Sequence, residues 1–296
     1  MKKYLYSLFA LAAVLGSCTS DVEEAVVEKS VNSSTKYALT LEPFVYEGAT
    51  RINLTDANSS IVFGWSFNEE FGVFPLNPAN SQARWALTQS DDCEDDDHYA
   101  LFNGEGWGLT EGVQYAAYHP YNGSAPSNTP YTAVPVSLPT TQVGTLAAIG
   151  GSYDYIYATG TYNGDDGSCP GAGNVVFNFN HAIAIVKIVM PAQSGTVSDV
   201  TLSSPQDFFV SSGTLNASTG DVTAGLSTSS VSLTSSTSDE EGNLEFFLAL
   251  FPTTIDDAVI SFKVGGVAHS YSRTLNTKEF KKGYAYVWNL SKWSFE

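Results

Sequence analysis

Apolar and polar residues alternate with a period of two along most of this chain. Tyr37, Leu39 and Leu41 fall on one face and Ala38, Thr40 and Glu42 on the other, the pattern of a half-buried strand. Similar short runs recur at 60–67, 71–76, 98–102, 115–118, 133–138 and 153–157, with Gly, Pro, Asn or Asp in the gaps. A second set follows at 175–179 running into 182–189, then at 197–202, 213–222 (a hairpin around Thr219 and Gly220), 230–234, 244–251, 258–264, 269–275 and 284–290. No segment of a dozen residues carries a helical stripe, so the pattern predicts an all-β protein in which any helix is minor.

The stretch from Asn163 to Gly173 is the densest cluster of turn formers and is expected to separate two units. About 280 residues after an N-terminal signal suit two domains of sandwich size rather than one. The expectation is two β-sandwiches in tandem, over 37–166 and 174–296, each built from about seven short strands.

Residues 1–36 depart from this pattern. Lys2 and Lys3 precede a short apolar run from Leu5 to Leu15, and Leu15-Gly16-Ser17 leads into Cys18. That is the build of a secretory signal over 1–17, and its ending resembles the bacterial lipobox. The resemblance implies cleavage before Cys18, acylation with lipid such as palmitate, and an outer-membrane lipoprotein; an ordinary signal with a chance cysteine is the alternative. Residues 18–36 are acidic and polar without a sustained period and read as a flexible tether.

Charge narrows the partners. Removing residues 1–17 takes Lys2 and Lys3 from the 13 basic side chains and none from the 31 acidic ones, leaving 11 against 31 and a formal charge of −20. Such a chain repels nucleic acid and anionic lipid heads, so no nucleic-acid partner is expected. With Cys18 taken by lipid, Cys93 and Cys169 remain. A disulfide between them would contribute ~4 kcal/mol on the chain-entropy account; two free thiols are the other reading, since spacing does not establish proximity.

Four stretches carry a resemblance to a known family. Phe63-Gly64-Trp65 leads to Phe71-Gly72-Val73-Phe74-Pro75, and Trp107 and Gly112 lead to Tyr115-Ala116-Ala117-Tyr118-His119-Pro120-Tyr121. The run from Val175 through His181 to Lys187 and the closing run from Gly283 to Leu290 complete the set. In this order, with the lipobox, they resemble the fimbrillin family of the Bacteroidetes. The resemblance implies a Greek-key, transthyretin-like fold and a cell-surface type V pilus subunit active in cell adhesion. It implies other pilin subunits as partners, and a host or bacterial surface receptor beyond them. Such subunits are trimmed by an arginine- or lysine-specific protease and polymerise when a neighbour's strand fills the groove so opened.

The residues make that mechanism physically possible. Arg51, one of three arginines, lies just beyond the strand predicted from Tyr37 to Tyr46. A cut after it would release the lipid, the tether and one core strand together, inviting strand addition. Tyr284, Tyr286, Trp288 and Leu290 share a face of the last predicted strand, which makes that strand a candidate donor. A surface arginine near a turn, with no processing, is the simpler alternative for Arg51.

Little argues for catalysis, and no cofactor is expected. The four histidines are scattered, and no H-E-x-x-H, C-x-x-C or G-x-S-x-G pattern occurs. His181, alternating with Phe177 and Phe179, is expected in the core or at a sheet edge, and His119 is expected to be structural. The acidic run from Asp91 to Asp97 lacks the D-x-D-x-D-G spacing of a calcium loop and reads as solvated, so no metal site is expected. Sixteen tyrosines leave a rival reading, an outer-membrane carbohydrate-binding lipoprotein, whose mark would be three or more aromatics on one exposed sheet face. Labelled palmitate should be incorporated by the native protein and not by Cys18→Ala; equal labelling of the two would remove the lipid anchor.

Overall fold

The alternating runs pair into antiparallel sheets around a shared apolar core. The computed structural model describes residues 29–30, 53–57, 60–64, 69–89, 101–105, 109–163, 175, 177–290 and 294–295. The strand predicted from Tyr37 and the stretch 164–174 lie outside the described residues.

The first sheet runs Asn180–His181, Ile156–Thr161, Gln114–His119, Glu70–Pro75, Ala83–Gln89 and Leu101–Glu105, antiparallel throughout. Its two central strands are the FGVFP and YAAYH runs. They lie side by side with Gly72 opposite Tyr118 and Phe74 opposite Ala116. A Cβ at Gly72 would run into the Tyr118 ring, so glycine is the residue that lets this aromatic lie flat across the sheet. The Tyr118 hydroxyl donates to Gln82 Oε1 at 2.6 Å and accepts the Asn122 N–H at 3.0 Å. Phe71 gathers Trp85, Phe102, Phe177 and Phe179 around it at centroid distances of 4.4–5.8 Å.

Three further sheets come mainly from the second half of the chain. One runs Lys29–Ser30, Tyr284–Asn289, Ala184–Met190, Leu244–Leu250 and Thr237–Ser238. Another runs Ser294–Phe295, Val267–Phe280, Thr253–Val264, Val197–Ser203, Ser230–Leu233 and Thr141–Gln142. The third is Val222–Thr228, Phe209–Leu215 and Val134–Ser137. Their inward faces join the first sheet in one buried cluster, the arrangement of an all-β sandwich protein. The runs predicted at 258–264 and 269–275 extend into strands of 12 and 14 residues. They meet at Gly265 and Gly266, with φ of 56° and 87°, a two-residue turn whose positive φ values glycine adopts without strain.

The two halves of the sequence exchange strands. Val134–Ser137 pairs with Phe209–Leu215, Thr141–Gln142 pairs with Ser230–Leu233, and Asn180–His181 pairs with Ile156–Thr161 in the first sheet. Gln142 is fully buried, and its side chain behaves as a peptide group: Nε2 donates to the Ala249 carbonyl and Oε1 accepts the Ala249 N–H, both at 2.9 Å. Two residues on, the Gly144 carbonyl accepts the Phe247 N–H at 3.0 Å. Segment 142–144 thus finishes the edge of Leu244–Leu250 while its main chain pairs with the neighbouring sheet.

Two differences from the alternation pattern have local causes. The run at 153–157 is a strand only from Ile156, because a short helix, Leu146–Ser152, ends there, with Thr145 as its N-cap. The Tyr153 and Asp154 N–H groups both donate to the Ile149 carbonyl, which closes the helix and keeps these two residues out of the sheet. Residues 177–179 are not a strand either: Phe177 and Phe179 face the Phe71 cluster and only Asn180–His181 joins the ladder.

A polar junction pins the hairpin loop between Leu215 and Val222 to the rest. Lys282 Nζ lies 5.2 Å from the Tyr157 ring centroid and donates to Asp221 Oδ1 at 2.6 Å and to the Thr219 carbonyl at 2.7 Å. Gly220, with φ of 71°, sits flat against the Tyr157 ring, where a Cβ would collide. The Lys282 ammonium, with help from the Thr219 hydroxyl, holds the Asp221 carboxyl below the usual carboxylate range.

Gln142→Ala leaves a buried N–H and C=O without partners and should lower unfolding stability by about 3 kcal/mol, read as a lower urea midpoint at unchanged slope. A loss below about 0.5 kcal/mol would mean that the Ala249 pairing is dispensable. Asp221 has a folded pKa depressed below its unfolded value, so its contribution is present above that unfolded value and lost as pH falls through the folded one. Because Asp221 is largely exposed, Asp221→Asn should cost less than about 1 kcal/mol near neutrality. The gap to the native protein should close below about pH 4 in paired unfolding curves.

Candidate assembly site

The closing strand, Tyr284–Asn289, is set up by the residues before it. Gly283 takes φ of 75° and donates its N–H to the Ile183 carbonyl at 2.7 Å, turning the chain out of the long hairpin and into the sheet. From there the strand alternates: Tyr286, Trp288 and Leu290 are buried, while Val287 is 46% exposed on the other face. Phe280 fixes the inward face, meeting Tyr286 edge-on at 4.7 Å and Trp288 at 5.5 Å. The Tyr286 hydroxyl accepts the Lys281 N–H at 2.9 Å, so its one polar atom is satisfied without leaving the core.

This strand has a neighbour on each side. On one side Ala184–Met190 runs parallel to it, with Val186 opposite Tyr286 and Ile188 opposite Trp288. On the other, Lys29–Ser30 runs antiparallel, with Lys29 opposite Ala285 and Ser30 opposite Tyr284. A segment from the N-terminal tether therefore lies on the edge of the C-terminal strand. The tether read from composition as without sustained period contributes main-chain pairing here, a contact that no side-chain pattern signals, since a ladder needs only N–H and C=O groups.

Of the residues singled out from the sequence, Tyr284, Tyr286, Trp288 and Leu290 lie in this strand or at its end. Cys18, Arg51, Cys93 and Cys169, and the acidic run at 91–97, lie outside the described residues. His119 and His181 both stand in buried acid–histidine pairs. His181 Nδ1 is 2.7 Å from Asp154 Oδ1, and His119 Nε2 is 3.3 Å from Glu69 Oε2 with Nδ1 2.8 Å from the Glu70 carbonyl. Both pairs tie strands of the first sheet to adjoining segments. Their acidic partners were not evident in the sequence, since Asp154 lies between two tyrosines and Glu69 beside a second acid, Glu70, with nothing to mark an inward carboxylate. Among the described residues no group of three or more His, Cys, Asp or Glu is placed to hold a metal ion. The exposed large apolar side chains there are Val143, Leu226, Val267 and Val287, none of them aromatic.

Comparison with known proteins places this geometry. The fimbrillin-like family matches residues 50–291. No curated protein matches the chain. A crystal structure of a protein from Bacteroides ovatus ATCC 8483 assigned to cell adhesion aligns at TM-score 0.52 and 15% identity, over 84% of this chain and 93% of that one. Another such protein, from Bacteroides uniformis ATCC 8492, aligns at 0.49 and 16% over 81% and 91%. The tip fimbrial protein Mfa3 from Porphyromonas gingivalis aligns at 0.43 and 9% over 76% and 89%. The first of these shares the fold, and the match over 50–291 takes in most of the chain and both of its halves: the chain belongs to the fimbrillin-like family.

Proposed function

We propose that this protein is a structural or accessory subunit of a cell-surface type V fimbrium, acting in adhesion and assembled by strand addition after its N-terminal segment is removed. The observation that carries the reading is the pairing of Lys29–Ser30 with Tyr284–Ala285. A cut after Arg51 separates that segment from the body, whose family match begins at residue 50. Before the cut, lipid on Cys18 holds the chain to the outer membrane. After it, the N-terminal segment can leave and another fimbrial subunit can take its place on the sheet.

Two roles are open to the strand ending at Leu290. As the donor to a neighbour it would leave Ala184–Met190 and take Tyr286, Trp288 and Leu290 out of the core, at ~1.5–3 kcal/mol for each side chain. As the acceptor it keeps those contacts and offers only its edge, so the incoming strand gains main-chain bonds without dismantling the fold. The second costs less, and we adopt it.

Cleavage of the full-length protein by an arginine-specific protease, with Ile52 verified as the new N-terminus, should convert monomer into detergent-resistant ladders. Arg51→Ala should prevent them. Amides of 284–289 should exchange faster in the dilute cut monomer and regain protection in the ladder. A body cut at Arg51 that stays monomeric at high concentration, with protection of 284–289 unchanged, would rule out assembly at this edge.

A further inference from the structure

A second edge, in a different sheet, has no partner strand along its length among the described residues. Val222–Thr228 is the outermost strand of the three-stranded sheet, paired only with Phe209–Leu215. At seven residues it is the longest edge strand among the described residues; the others have two to five. Its five central residues are exposed, and Leu226, at 67%, is the most exposed large apolar side chain among the described residues. Edge strands are usually protected by shortness, charge or proline. This one, Val-Thr-Ala-Gly-Leu-Ser-Thr, has none of the three; the bulge at Gly225 is the one such device it carries.

Its composition is unusual for a chain with a net charge of −18. The nearest acid in sequence, Asp221, is met by Lys282 at 2.6 Å, so the strand's start carries no net charge toward a neighbour. Like-charged surfaces hold two copies of an acidic chain apart everywhere except where the surface is neutral. We infer that Val222–Thr228 pairs with the same strand of a second copy, antiparallel about a twofold axis through Gly225.

The sequence is self-complementary in that register. Ala224 stands opposite Leu226 of the second copy, a small residue against a large one. Thr223 stands opposite Ser227, two hydroxyl side chains that pair well across strands, and Val222 stands opposite Thr228. Gly225 meets its own copy at the centre. It is the residue skipped in the pairing with Phe209–Leu215, between Leu226 opposite Ser212 and Ala224 opposite Gly213. Glycine at this bulge relieves crowding within the chain's own sheet, where a Cβ would stand 3.2 Å from the Ser212 carbonyl oxygen. One strand pair buries less than the ~1,200 Å² of a standard stable complex, so the contact is weak in solution and acts where copies are already crowded side by side. The twofold makes it a closed, isologous contact that joins chains in pairs. It does not depend on the assembly edge at Tyr284–Asn289.

Sedimentation velocity of the full-length chain over rising concentration tests the inference. The native chain should move reversibly toward the mass of a dimer. Ala224→Lys/Leu226→Lys sets like charges opposite each other at two positions and should weaken association at least tenfold. Val267→Lys/Ala268→Lys makes the same change of charge at another exposed strand and should leave association unaltered. All four sites are exposed, so the far-ultraviolet spectra should coincide. A native chain that is monomeric at every concentration, or a pair of variants with equal effects, overturns the proposal.

Discussion

Every strand in this fold must find partners for its main-chain N–H and C=O groups, and at Ala249 a side chain meets that demand. It lies inside the core on a strand whose neighbour, Thr237–Ser238, covers only the far end. Gln142 solves the problem by lending its amide, which has the same donor and acceptor geometry as a peptide group. Because the Gln142 main chain belongs to the adjoining sheet, one residue satisfies two sheets at once. The neighbouring hydrogen bond from Phe247 to Gly144, and the absence of a side chain at Gly144 where the Ser235 carbonyl comes close, depend on that placement. The helix Leu146–Ser152 starts directly afterwards, so its position follows as well.

The strands were legible because their side chains report which face is buried. FGVFP and YAAYH read as strands in isolation, and the structure places them together with small residues facing large ones. The core positions of Tyr284–Leu290 followed from the same alternation. Partnership was not legible, because it is made by backbone atoms that are alike in every residue. Nothing in Lys29–Ser30 distinguishes it from the rest of an acidic tether, and nothing in Thr141–Gln142 announces that it crosses to Ser230–Leu233. The helix escaped notice because seven residues with two glycines cannot show a stripe. Asp154 fell inside the run read as a strand over 153–157, with nothing there to show that its carboxylate meets His181, 27 residues on.

Membership of the fimbrillin-like family and the edge geometry bear on each other. A subunit that is to be joined to others by strand addition needs an edge that is satisfied while it is alone. The pairing of Lys29–Ser30 with Tyr284–Ala285 is suited to that need, being two residue pairs long. The strand beneath it is the opposite case, with Tyr286, Trp288 and Phe280 locking its inward face. In the assembly we propose, the short pairing is the replaceable cover and the strand beneath it the permanent floor.

The parallel pairing of Tyr284–Asn289 with Ala184–Met190 has a mechanical consequence. Five residue pairs, from Ile185 with Ala285 to Val189 with Asn289, lie along the same direction. Tension applied along Tyr284–Asn289 pulls in that direction, so the hydrogen bonds of the ladder are loaded together in shear. None can be peeled open ahead of the next. A joint of this kind yields only when the whole row slips, and the inward rings of Tyr286 and Trp288 must then be dragged past the residues that hold them. A filament linked through this strand would resist extension far better than one whose subunits met at an unzipping hairpin.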